Sequence, residues 1–228
     1  MSIALLSLLQ LSDPALPIGG YAHSNGLETY VQQGVVHNKE TALQFVTGML
    51  TLNLQFTDAA FVSLSMAAAT TGDFEEILQL DEECNALKLP AEIRMASQKL
   101  GIRLVKIFHP MLKNGFADKY KTAIQNKNAA GHYCIAFGLY AYELLIQKED
   151  ALTGFYYNAA AGMVTNTVKL VPLGQQEGQE ILFSLQPLIM QLVKKSLTPD
   201  RSMLGVCCTG FDIRSMQHEH LYSRLYMS

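Results

Sequence analysis

Apolar residues recur at three- and four-residue spacing along nearly the whole chain, and nowhere do they alternate across a run closed by a hairpin turn. That periodicity admits helices and little else. Leu5, Leu8, Leu9 and Ser12 form one such stripe, ended by Asp13-Pro14. Asn25 to Glu28 reads as a capping box, and Gly34 as the stop of the short helix it opens. Asn38 is expected to cap a helix burying Leu43, Val46, Met49 and Leu50, and Asp73 with Glu76 repeats that start before Ile77, Leu80, Cys84 and Leu87. Pro90 opens a segment whose apolar face runs through Ile93, Leu100, Leu104, Ile107 and Phe108 to His109-Pro110. Further helices fit residues 116–124, 131–147 and 151–170, and another runs from 175 to 195 with a bend at Pro187. The chain has no internal repeat and no Gly/Ser linker. About ten helices with short connections make an all-α fold, a single compact domain over residues 1–228.

Composition narrows the function classes. With 228 residues and 49% hydrophobic content, the chain can bury a core without disulfides or metal. Charged residues make up 16%, against about a quarter in an average soluble domain, so part of the surface is expected to be covered by a partner. A net charge of −3 with no basic cluster excludes generic nucleic-acid binding. Cys84, Cys134, Cys207 and Cys208 form no secreted-style framework and no CxxC pair. The apolar start has no basic residue before Lys39, so it lacks the charged region of a signal peptide. No apolar run approaches the ~20 residues of a membrane span; the longest, 135–146, contains Glu143. The expectation is a cytoplasmic protein that avoids membranes.

Each candidate for chemistry has a plainer competitor. Ala22-His23-Ser24-Asn25-Gly26 is a loose relative of the nucleophile elbow, which would make Ser24 a hydrolase nucleophile; no strand precedes it, and Ser24 and Asn25 are more simply helix-start residues. His218 and His220, with Met216 and the Cys207-Cys208 pair nearby, would converge on a soft or borderline divalent ion only in an extended segment. They lack the ligand count of a structural zinc site. Glu75-Glu76 and Asp81-Glu82-Glu83 read as surface acids, since a general acid needs an apolar pocket. Lys169 to Gln179 is a helix-break-helix junction fixed by Pro172 and Gly174, without the Gly-Lys-Ser/Thr end of a phosphate loop. The closing segment interleaves Phe211, Tyr222, Leu225 and Tyr226 with Arg214, His218, His220 and Arg224. It is either a last helix folded onto the core or a docking tail, since aromatics and arginine are enriched at interface hot spots. The residues assemble no catalytic constellation, no cofactor box and no metal set. They describe a helical protein that binds other proteins.

Three segments resemble the urease accessory protein UreF family. The first runs from Leu9 through Pro17-Ile18-Gly19-Gly20 and Ser24 to Gly26-Leu27-Glu28. The second runs from Gly131-His132-Tyr133 and Phe137-Gly138 to Lys169-Leu170-Val171-Pro172-Leu173-Gly174-Gln175 and Gly178-Gln179. The third is the end, with Asp212-Ile213, Ser215-Met216, His218-Glu219 and Tyr222-Ser223-Arg224-Leu225. The resemblance implies an all-α, dimeric scaffold or chaperone with no enzymatic activity of its own. It implies binding to UreD (UreH in some systems) and recruitment and regulation of the GTPase UreG, so that nickel is inserted into the urease apoenzyme. It further implies that residues 211–228 dock into UreD/UreH, with Phe211, His218, Tyr222, Arg224 and Leu225 as contacts. Lys169, Pro172, Leu173, Gly174, Gln175 and Gln179 then belong to a dimer or GTPase-facing surface, and Pro17, Gly19, Ser24, Gly26 and Glu28 to the family's turn. Lys169 stands where the resemblance leads us to expect arginine, which would lose a bidentate fork while keeping the charge.

Overall fold

A computed structural model describes residues 3–112 and 115–227; Met1, Ser2 and the final Ser228 of the expected tail lie outside the described residues. Twelve α-helices and no strand are present among them. In chain order they are α1 Ile3–Leu11, α2 Leu27–Gln32, α3 Lys39–Gly48, α4 Asp58–Thr71, α5 Phe74–Leu87, α6 Ala91–Phe108, α7 Phe116–Gln125, α8 Tyr133–Glu143, α9 Lys148–Leu170, α10 Gln175–Ser184, α11 Gln186–Ser196 and α12 Thr209–His218. No described helix is long and apolar enough to cross a membrane.

The centre is the pair α4 and α8. Every residue from Cys134 to Ala141 is buried, and α4 buries Phe61, Val62 and Met66 with alanines and serines around them. Helices buried on all sides show no apolar stripe. Periodicity therefore gave no signal over 58–71. The close approach rests on Gly138, where a Cβ would meet the Ser65 hydroxyl and the Val62 carbonyl. Around this pair stand α5 and α6, while the long α9 supports α1, α3, α10 and α11.

Several local expectations hold. Asn38 and Thr41 form a reciprocal cap on α3, and Asp73 accepts the Glu76 amide at the start of α5. Others change. Residues 175–195 are two helices, broken at Leu185, with Pro187 in the first turn of α11, where its missing N–H has no partner to lose. The first stripe is rotated: Ala4, Leu8, Leu11 and Ser12 face inward, while Leu5 and Leu9 join Ile3 and Leu6 in solvent. Asp81 is not a surface acid. It is buried and accepts the amides of Gly131 and His132 at 3.2 and 3.1 Å, together with the Ala130 amide and the Tyr120 hydroxyl. One carboxylate thus ties α5 and α7 to the turn that starts α8.

A candidate partner-docking site at the meeting of the two chain ends

The opening turn and the closing segment are adjacent in space. Gly19 has φ 86° and Arg103 donates to the carbonyl of Ile18 behind it at 3.0 Å, turning the chain into a short 3₁₀ segment, Gly20–Ala22. Gly26 then starts α2 with φ 76°. A Cβ there would lie 2.7 Å from the Ser215 hydroxyl and 3.6 Å from the Phe211 ring, so α12 packs where only glycine leaves room. The expected capping box therefore does not form. Asn25 takes a left-handed conformation, and the Ser24 hydroxyl accepts the Glu28 amide at 3.5 Å.

That arrangement leaves the Glu28 carboxylate free for the tail. One oxygen accepts the Leu225 amide at 2.7 Å; the other accepts the Tyr226 amide at 3.2 Å and lies 3.2 Å from His218 Nε2. His218 Nδ1 lies 2.7 Å from Glu92, whose second oxygen takes Arg224 Nη1 at 2.6 Å. Both ring nitrogens of a fully buried imidazole thus face carboxylates. Gln32 donates to the Ser223 carbonyl at 3.1 Å, and the Met227 amide donates to the Ala22 carbonyl at 2.8 Å. Arg214 stacks its guanidinium 4.6 Å from the centre of the Tyr30 ring while donating to Gln33 at 3.0 Å.

The expected tail residues therefore divide. Phe211 and His218 point into the chain's own fold, and Arg224 is drawn to Glu92. Tyr222, fully exposed, and Leu225, 69% exposed, point outward. In the opening turn, Gly19, Ser24, Gly26 and Glu28 are buried and Pro17 is exposed. Glu92, Gln32 and Gln33 were not singled out from the sequence. They carry no local signature, since their partners lie more than a hundred residues away.

Ser24 is buried beneath α2, which is not how an elbow presents a nucleophile. His218 spends both ring nitrogens on carboxylates, and His220 faces solvent beyond the end of α12. Among the described residues no group of three His, Cys, Asp or Glu side chains is placed to hold a metal ion.

The second expected surface lies at the other end of α9. Asn166 donates to the His23 carbonyl at 2.9 Å, and Lys169 follows in the last turn, exposed. The chain then extends through Val171, and Gly174 starts α10 with its amide held by Glu177 at 2.8 Å. Pro172, Gly174, Gln175 and Gln179 are exposed and Leu173 is half-buried. Lys39 of α3 pairs with Glu180 beside them. Beside the opening turn lies a cavity of about 230 Å³, bordered by Tyr21, His23, Asn166, Phe211, Lys88 and Asp58. Burial works against the charge of Asp58, but Lys88 at 2.7 Å and the Thr57 hydroxyl hold its carboxyl below the usual range.

Residues 36–186 match the sequence model of UreF. The chain is 47% identical over 227 residues to the urease accessory protein UreF of Actinobacillus pleuropneumoniae serotype 5b, covering 97% of this chain and 98% of that one. It is 46% identical to the UreF of Haemophilus influenzae strain Rd, covering 97% and 94%, and 33% identical to that of a Bacillus species, strain TB-90, covering 98% and 99%. These matches extend past the family model at both ends, far enough to take in the opening turn and the whole of α12. With agreement of this depth along the whole chain, the protein belongs to the UreF family of urease accessory proteins.

Proposed function

We propose that this protein is a cytoplasmic urease-maturation scaffold, not an enzyme, which binds UreD (UreH) and recruits and regulates the GTPase UreG while nickel is inserted into the urease apoenzyme. The observation that carries this reading is the clamped tail. Glu28 and Glu92 fix residues 218–226 on the fold, so Tyr222 and Leu225 are offered to a partner with their backbone already ordered. Preordering lowers the entropic cost of association. Aromatic side chains on such a platform are the kind that anchor interfaces. The junction from Lys169 to Gln179 is the second partner surface, facing either the GTPase or another copy. Arg201 and Arg214 are engaged within the chain, by Glu76 and Glu83 and by Tyr30 and Gln33, so neither is held ready as a finger for GTP hydrolysis.

The test is co-expression with UreD/UreH from the same source, followed by size-exclusion chromatography with light scattering. Tyr222→Ala combined with Leu225→Ala is expected to abolish co-elution while leaving circular dichroism and melting unchanged. Truncation at residue 210 is a blunter probe, because it also removes the buried Phe211, Ser215 and His218 and is expected to lower the melting temperature. Undiminished co-elution of the double variant would move the docking surface elsewhere.

A further inference from the structure

The buried thiols of Cys84 and Cys134 lie 3.6 Å apart, one on α5 and the other on α8, and the scaffold reading gives them no task. We infer that Cys84 and Cys134 are a redox site, converted by a small hydroperoxide into a reversible disulfide that bolts α5 to α8.

Three observations support this. A disulfide needs its sulfurs about 2.0 Å apart, so the pair must close roughly 1.6 Å, within the reach of side-chain rotation. The two thiols are also made unequal. Burial alone would raise Cys84, but hydrogen bonds from Cys134 and His132 and the Lys88 ammonium bring it down to about 6. Burial and the neighbouring thiolate push Cys134 up, so it keeps its proton. One sulfur is thus the nucleophile and the other the resolving thiol. Finally, two side chains, His132 and Ser97, stand between the site and a cavity. His132, which reaches Cys84, also lies 3.1 Å from the Ser97 hydroxyl, and Ser97 borders the 230 Å³ cavity together with Lys88 and Tyr133. Hydrogen peroxide is small and uncharged enough to pass that layer when it opens locally; a glutathione-sized disulfide is not.

The chemistry balances. The Cys84 thiolate attacks one peroxide oxygen; the S–O bond forms, the O–O bond breaks, and hydroxide leaves by the same local opening, to be protonated by solvent. The Cys134 sulfur then attacks the sulfenic sulfur. The S–S bond forms, the S–O bond breaks, and the departing oxygen leaves as water with the Cys134 proton. The sulfur pair loses two electrons and the peroxide gains them.

The experiment uses the full chain carrying Cys207→Ser and Cys208→Ser, which removes the two thiols outside the core. Folded protein is treated with hydrogen peroxide, quenched with catalase, unfolded in the presence of N-ethylmaleimide and analysed by peptide mass mapping. The expected result is loss of both alkylatable thiols, a crosslinked peptide joining 84 to 134, and recovery of both thiols after dithiothreitol. In a Cys134→Ser background, dimedone is expected to trap a sulfenic acid on Cys84. Two thiols that remain fully alkylatable after peroxide overturn the inference. So does oxidation of either sulfur without the crosslink in the chain that keeps both.

Discussion

Glu28 shows how one side chain joins regions nearly two hundred residues apart. Its carboxylate takes two backbone amides and the edge of an imidazole, and hydrogen bonds to a charged group contribute about 1.5–3 kcal/mol each. Glu28→Gln keeps the shape and removes the charge; it is expected to destabilise the chain by about 2 kcal/mol in urea denaturation and to speed amide exchange at residues 219–227. From the sequence, Glu28 reads as the closing residue of a capping box; it does stand in the first turn of α2, but its carboxylate goes to the tail instead. The long-range role escaped because nothing local marks the partner of a buried carboxylate. His23 gives a pH prediction. Burial, with Lys99 and Arg103 nearby, holds its ring below the usual 6.5, so the folded chain favours the neutral form. That contribution is whole above pH 6.5 and is lost as pH falls toward the folded value. Denaturation midpoints measured from pH 7.5 to 5 are expected to fall, and His23→Gln is expected to flatten the slope.

The helices differ in how openly the sequence announces them, and the reason is their surroundings. Helices with one wet face, such as α5 and α6, carry apolar stripes that can be read directly, and α5 adds a side-chain cap. By contrast, α4 is apolar on all sides and lacks a side-chain cap, so it offers neither signal although it lies at the centre. The tail was even between two readings because α12 buries few large side chains and is held by polar contacts supplied from elsewhere. A single ion pair links the start of α4 to the residue after α5, with Asp58 and Lys88 almost wholly withdrawn from water. Breaking such a pair strands a charge, so Lys88→Met alone is expected to cost about 3–5 kcal/mol. Replacing Asp58 with Leu in the same chain is expected to restore most of that loss, as thermal melts of the single and double variants will show.

Taken whole, the molecule hides its charged clamp and shows apolar side chains along α1, where Ile3, Leu5, Leu6 and Leu9 are each at least half exposed. An apolar helix face of this kind is a common place for a two-fold contact, and α1 is where the dimer that the family resemblance implies would be tested first. Leu6→Glu with Leu9→Glu is expected to shift a dimer to monomer in light scattering at micromolar concentration while leaving helicity intact. The clamp also bears on biosynthesis. The acceptors at 28 and 92 leave the ribosome early, whereas their partners at 218, 224, 225 and 226 are made last. Until those residues emerge, the nascent chain holds two inward-facing carboxylates with nothing to receive. A product that stops short keeps that defect. Residues 218–226 therefore serve as a late checkpoint of folding, and only a chain that carries them closes the clamp and presents the finished platform.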